Sequence, residues 1–366
     1  MNILFISKLS GNLWAGPNNS IPAQVKAQSR IDNVFWYNLN NTKRPEWCVD
    51  GLDCKNLIDY PRGRLCCLPA PFNKPDIVII EECYVYLFCR IIKDIQRLKI
   101  PYIIIPRSSF TRKAQRNKFL KKALGNMIYF NSMIKKAVAI QYLTEEEKKE
   151  SEKQWSVDSF VIPNGICSRN IVKTNFSSQH IKASYIGRIE IYQKGLDLLL
   201  DAIVALKLEL RNVGFSIDLY GPNREGAVEF LRDKIEKGKI LDMVKLHDAV
   251  FGTDKNEVLL NTDVFIMTSR FEGHPMGLIE ALSYGIPCVA TRGTYMAERI
   301  VESGAGWGAE NELESIKNAL KTMIHDRTIL SEKGKKALQL ADTYSWEKLA
   351  SQSHMIFEKI IQKVDK

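Results

Sequence analysis

Short β-rich apolar runs recur along this chain, and stretches of helical length separate them. In the first half the runs are ILFIS (3–7), PDIVIIEE (75–82), PYIIIP (101–106), VAIQYLT (138–144) and SFVIP (159–163), each bounded by polar, Gly or Pro residues. In the second half they are KASYIGR (182–188), FSIDLYG (215–221), VKLHD (244–248), DVFIMTS (263–269) and IPCVATR (286–292). Helical patterns fill the gaps, notably over 84–98, 116–124, 195–210 and 278–284. Strands alternating with helices predict an α/β chain whose parallel sheets are covered on both faces.

The 366 residues exceed what one hydrophobic core supports, so two doubly wound domains are expected. The break between them falls near residues 166–181, where CSRNIVKTNFSSQH is polar and has no periodicity. With 45% hydrophobic and 26% charged residues the composition is that of a globular protein, and no apolar run is long enough to span a bilayer. The first residues, MNILFISKLSGN, lack the charged head and cleavage site of a secretory signal, which predicts a cytoplasmic protein. The eight cysteines show no repeated Cys-x-x-Cys spacing and are expected to be free thiols, mostly buried.

A net charge of +10 implies an anionic partner: nucleic acid, an anionic membrane surface or a phosphorylated small molecule. Seven cations crowd into residues 107–122, namely Arg107, Arg112, Lys113, Arg116, Lys118, Lys121 and Lys122. Most such runs are only solvated helix faces. Peripheral attachment to the inner face of the cell membrane is the functional alternative.

In doubly wound sheets ligands bind beyond the carboxyl ends of the strands, so the residues following each run carry the functional information. After the first run, SGNLWAGPNNS places Gly16 and Pro17 before a helix start at 18–20, either as a simple turn or as a close approach to an anion. After SYIG come Arg188 and, six residues on, Lys194, two cations able to face one diphosphate. The stretch EGHPMGLIE (272–280) follows another run and places two carboxylates around a loop whose amides converge on a helix start. Carboxylates suit hydroxyls rather than phosphates. Glu272 and Glu280 can thus accept hydrogen bonds from two parts of one polyhydroxylated ligand, such as a sugar and a ribose.

Taken together, GRIEIYQKGLDLLLDAI (187–203), LYGPN (219–223), NTDVFIMTSRFEGHPMGLIEALSYGIPCVAT (261–291) and VIPNGI (161–166) resemble the GT-B retaining glycosyltransferases of family 4, the group 1 glycosyl transferases. The resemblance covers nearly the whole length, and Glu272 and Glu280 fit the family's Glu-x7-Glu signature. It implies two Rossmann-like domains facing across a cleft: 1–168 for the acceptor and 169–343 for the nucleotide sugar, with a helix over 344–366 returning to the first domain. Trp346 in that tail is expected to be a packing anchor rather than a ligand contact.

The same resemblance implies roles for individual residues. Arg188 and Lys194 would hold the donor diphosphate, Glu280 the ribose and Glu272 the transferred sugar. Met276 and Gly277 would offer amides to phosphate or sugar, Gly16 would approach the diphosphate, and the backbone at Ala249 would lie near the base. The activity implied is that of a hexosyltransferase moving a sugar from a nucleoside-diphosphate donor, UDP favoured over GDP, to a glycan or lipid-linked acceptor in surface polysaccharide or lipopolysaccharide synthesis. No cofactor and no metal are implied, and no Asp-x-Asp stands on a suitable loop.

The chain departs from the family after PYIIIP. Members often carry Pro-His-Gly there, whereas this chain has Pro106, Arg107, Ser108 and Ser109, so Arg107 or Ser108 takes the place of a histidine near the sugar. His274 is a third candidate sugar or acceptor contact, although lone loop histidines are more often structural or solvated. Two other readings compete: a GT-B nucleotide-sugar 2-epimerase, which would turn over donor without acceptor, and a basic nucleic-acid-binding protein. No aromatic-basic platform supports the second.

Overall fold

The computed structural model describes residues 1–12, 16–48, 52, 54–111, 114–115, 119–177, 179–224, 226–272 and 274–364. Arg112, Lys113, Arg116 and Lys118 of the basic run, and Gly273 of the 272–280 loop, lie outside the described residues. The chain forms two compact units, residues 1–165 with 346–366, and residues 166–345.

The first unit holds a parallel sheet of seven strands: β1 (Asn2–Ser7), β2 (Asn33–Asn38), β3 (Cys54–Asn56), β4 (Ile77–Glu81), β5 (Tyr102–Ile105), β6 (Ala139–Tyr142) and β7 (Ser159–Val161). Their order is β3-β2-β1-β4-β5-β6-β7. Ile3 and Phe5 of β1 pack in one layer and Leu4 and Ile6 in another. The strand is therefore apolar through its centre, as one sandwiched between helix layers must be. The helix Trp346–Val364 belongs to this unit, and Trp346 is buried with Ala27, Ile162, Leu349 and Ala350.

The second unit holds six parallel strands: β8 (Lys182–Ile186), β9 (Ser216–Tyr220), β10 (Val244–His247), β11 (Val264–Met267), β12 (Cys288–Thr291) and β13 (Gly306–Ala309), ordered β10-β9-β8-β11-β12-β13. The order reverses between β8 and β11, where Val264 pairs with Ala183 and Phe265 with Ser184. The carboxyl ends of these two strands therefore flank the crevice at which a doubly wound sheet takes its ligand.

All ten apolar runs become strands. The sequence reading misses β2, β3 and β13. β3 has three residues and β13 contains two glycines, so neither presents the usual apolar run, whereas β2 carries VFWY between two asparagines, a run the reading passed over. The helix expected over 195–210 is divided into Leu196–Ala205 and Lys207–Asn212. The eight cysteines are free thiols, but only Cys54, Cys83 and Cys288 are buried. Those three lie on or just after strands, whereas Cys66 and Cys167 are exposed.

Candidate active site

Two loops of the second unit build the site. Beyond β8 the chain runs through Gly187, Arg188 and Ile189 into the short helix Ile191–Lys194. The LYGPN segment supports this loop: the Gly187 amide donates to Tyr220 O and the Ile189 amide to Pro222 O, both at 3.0 Å, which prolongs the β8–β9 ladder past both strands. The Tyr185 hydroxyl donates to Arg188 O at 2.8 Å, and burial pushes its pKa well up, so it remains a donor.

Gly195 then takes a left-handed conformation with φ of +62°, and a side chain there would meet Thr268 O at 2.1 Å. Thr268 Oγ1 donates in turn to Gly195 O at 3.0 Å. This contact draws the loop after β11 against the loop after β8. Gly195→Ala is expected to lower stability by about 1–3 kcal/mol, through backbone strain and the displaced Thr268 carbonyl. An unchanged melting temperature would show that the two loops are not held together here.

The contact brings Lys194 to Glu272. Lys194 Nζ donates to Glu272 Oε1 at 2.6 Å, with the two side chains only 10% and 8% exposed. The buried Ser269 hydroxyl donates to the same oxygen. Ser269 is fixed through its carbonyl, which accepts from Thr291 Oγ1 at 2.7 Å and Asn311 Nδ2 at 2.8 Å. Arg270 forms a two-pronged bond to Asp197, both contacts 2.8 Å, anchoring the loop to the first turn of the helix Leu196–Ala205.

Arg188 lies nearer solvent, its side chain 44% exposed, with its guanidinium 3.2 Å from Glu190 Oε2 and donating to Gln193 Oε1 at 3.0 Å. Gln193 reaches across to Phe271 O at 3.4 Å, so Arg188 joins the 268–275 loop through one intermediary.

The helix Met276–Ser283 begins where this loop ends. The Met276 amide donates to His274 O at 2.9 Å, so it is engaged within the loop, and Gly277 occupies the first turn. His274 lies with Nδ1 3.3 Å from Met276 Sδ and its ring edge-on to Tyr344. One turn further on, Glu280 receives Arg169 Nη2 at 3.0 Å on one oxygen and Lys255 Nζ on the other. Lys255 belongs to the helix Gly252–Leu260, which starts just after Ala249. That helix thereby links the end of β10 to Glu280.

The structure thus joins Lys194 with Glu272 directly and Arg188 through Gln193, and it places Met276, Gly277 and Glu280 on the helix that follows. Arg169, Lys255, Ser269 and Gln193 escape the sequence reading. Gln193 lies 78 residues from its partner and Arg169 lies 111 from its own, beyond any local pattern. Ser269 and Lys255 lie nearer, at 3 and 25 residues from theirs.

Gly16, Arg107 and Ser108 belong to the first unit. Gly16 caps the helix Pro17–Gln28, and a side chain on it would meet nothing within 4 Å. Arg107 is 6% exposed and donates to Glu81 Oε2 at 2.8 Å, Gln24 Oε1 at 2.9 Å, and Ser20 Oγ and Asn164 Oδ1 at 3.0 Å. Four of its five N–H groups are engaged, so it serves as an internal tie among β4, the first helix and Asn164. Burial lifts the Glu81 carboxyl above its ordinary range and Arg107 opposes that rise. The Ser108 amide donates to Glu147, and both Arg107 and Ser108 hold positive φ, +48° and +66°.

Comparison with known proteins accords with this geometry. Residues 168–339, just under half of the chain, match the Glycosyl transferases group 1 family. The chain is 26% identical over 174 residues to the poly(glycerol-phosphate) alpha-glucosyltransferase of Bacillus subtilis, covering 47% of this chain but only 25% of that relative. It is 21% identical over 268 residues to an uncharacterized glycosyltransferase of Methanocaldococcus jannaschii, covering 72% of this chain and 70% of the other.

Among solved structures it is similar to the lipopolysaccharide outer core galactosyltransferase WaaB in its apo form, with a TM-score of 0.69, 16% identity and 98% and 100% of the two chains covered. It is likewise similar to Anabaena Alr3699/HepE in complex with UDP, with a TM-score of 0.72, 15% identity and the same coverage. The domain match and the relatives are those of glycosyltransferases. The second unit carries a Glycosyl transferases group 1 domain, and the sheets of the two units have the fold of the GT-B glycosyltransferases.

Proposed function

We propose that this protein is a retaining, metal-independent family 4 glycosyltransferase. It moves a hexose from a UDP-sugar, in preference to a GDP-sugar, to a hydroxyl of a glycan or lipid-linked glycan in surface polysaccharide or lipopolysaccharide synthesis. The observation that carries the reading is the buried Lys194–Glu272 pair at the ends of β8 and β11, inside the group 1 domain. A buried cation with its carboxylate in the ligand crevice of a doubly wound sheet is costly for structure alone. It is useful where a phosphate and a sugar hydroxyl must be met side by side.

In this reading the base lies by Ala249, the ribose on Glu280, the diphosphate on Lys194, Arg188 and the Gly277 end of the helix, and the sugar on Glu272. Arg169 and Lys255 hold Glu280 aimed through one hydrogen bond to each of its oxygens. In the reaction the bond from the anomeric carbon to the diphosphate oxygen breaks, and the acceptor oxygen bonds to that carbon on the same face. The acceptor proton passes to the departing phosphate, whose growing charge the two cations stabilise. The protein works at the inner face of the membrane, drawn to anionic lipid by the cations of 107–122.

A thermal-shift titration tests the donor. UDP at about a hundredfold excess over its Kd is expected to add about 2.7 kcal/mol of stability. GDP at the same concentration is expected to add less. Absence of a shift with either nucleotide would remove the reading.

A further inference from the structure

The first sheet has a reversal of its own. Its strand order turns between β1 and β4, where Ile3 pairs with Ile77 and Ile6 with Ile80, so the carboxyl ends of these two strands flank a crevice within the first unit. Just beyond the ends of β4 and β5, three residues hold the left-handed backbone that residues other than glycine avoid: Glu82 with φ of +71°, Arg107 with +48° and Ser108 with +66°. Two of the three have evident anchors, since Arg107 donates to four internal acceptors and the Ser108 amide donates to Glu147. Glu82 differs. Its amide donates to Ile105 O at 2.9 Å, but among the described residues no group bonds its carboxyl.

A half-buried carboxylate with no partner destabilises a fold, and the left-handed backbone beneath it adds to the loss. Burial raises the Glu82 carboxyl above its ordinary range, Arg107 and Lys8 oppose that rise, and Glu81 adds to it. Arg107 is engaged elsewhere. Lys8 follows β1 on the other side of the crevice, is exposed, and forms no ion pair with Glu82. A carboxylate and a cation thus stand near enough to sense each other's charge, with neither used by the fold.

We infer that Glu82 and Lys8 form an acceptor subsite, in which Glu82 accepts a hydrogen bond from one hydroxyl of an acceptor pyranose and Lys8 donates to a neighbouring oxygen of the same ring. The inference rests on the glycosyl-transfer reading and deepens it by giving the acceptor two residues of the first unit. Adjacent sugar oxygens supply the donor and the acceptor that this pair lacks. A phosphate would meet Lys8 but be repelled by Glu82 and by Glu81 beside it. A purely structural residue at this backbone position would be glycine, which adopts it without strain.

The test is saturation-transfer NMR on the full chain holding UDP, with the methyl glycosides of glucose, galactose and N-acetylglucosamine as probes. Wild type should transfer saturation to at least one of them. Glu82→Gln should raise the Kd of that glycoside about tenfold, the loss of one hydrogen bond to a charged group. Lys8→Gln should raise it about threefold to tenfold. Glu82→Gly should abolish binding and yet melt about 2 °C higher, because it removes both the strain and the unpartnered carboxyl. The UDP shift, which reports the second unit, should persist in every variant.

No transfer to any of the three glycosides in wild type, or an unchanged Kd in Glu82→Gln, would overturn the subsite. So would a lower melting temperature in Glu82→Gly, which would assign the residue to the fold. Loss of the UDP shift in wild type would strike the donor reading instead and leave glycoside binding as a separate result.

Discussion

Lys194→Ala is expected to lower turnover by about two to three powers of ten, the loss that follows removal of one preorganised charge from a developing phosphate. Arg188→Ala should lose about two powers of ten by the same route. From the sequence alone both variants should leave the fold intact; the structure separates them. Arg188 is 44% exposed and its partners Glu190 and Gln193 stay solvated without it. Lys194 is nearly buried, and its removal strands the equally buried Glu272 with one Ser269 bond.

Breaking one side of a buried pair costs about 3–5 kcal/mol, so Lys194→Ala should also melt markedly earlier. Lys194→Ala combined with Glu272→Ala should recover part of that stability without recovering turnover. Kinetics and calorimetry on the four proteins of this cycle check the expectation. Near-normal turnover in both cation variants would remove the diphosphate assignment, and an unchanged melting temperature in Lys194→Ala would show the pair to be unimportant for the fold.

The two glutamates are expected to fail differently. Glu280→Gln should weaken free UDP and the sugar donor alike, by about tenfold, because the ribose assigned to it in the proposed function is common to both and does not change in the reaction. Glu272→Gln should spare free UDP. Glu272 is paired with Lys194, so on the proposed reading neutralising it releases the cation for phosphate and should leave UDP affinity equal or higher. Its cost should appear as about a hundredfold loss in kcat, or in affinity for the intact donor alone, since the sugar it touches changes charge and shape at the transition state. Calorimetry with UDP and with the donor decides the matter. Equal losses of UDP affinity in both variants, or none in either, would break the assignment of the two carboxylates to different parts of one ligand.

Much of the scaffold was legible from local pattern. A strand such as Ile77–Glu81 is apolar over its first four residues because helices cover both of its faces, and that pattern survives in any context. The strand Cys54–Asn56 carries no such mark, since its three residues owe their conformation to pairing with β2. The candidate site divides in the same way. Glu272 and Glu280 declare themselves by spacing around a helix start, whereas Arg169 and Lys255 are ordinary cations until folding sets them on Glu280. Arg107 likewise reveals only in the fold that its guanidinium is engaged by four internal acceptors.

By itself, then, the sequence determined what depends on neighbours along the chain: which runs are strands, which loops end them, and which charged residues stand at those ends. The tertiary structure alone decided which of those ends meet. The reversal of strand order between β8 and β11 sets loops 78 residues apart side by side, and only then does Lys194 acquire Glu272 as its counter-ion. Likewise only packing reveals that Phe130, Met133 and Ile134 turn inward while Met127 and Ile128 remain outside. The physical reason is the same in each case: strand identity is a local property of side-chain pattern, whereas ion pairing and exposure depend on contacts that close long loops.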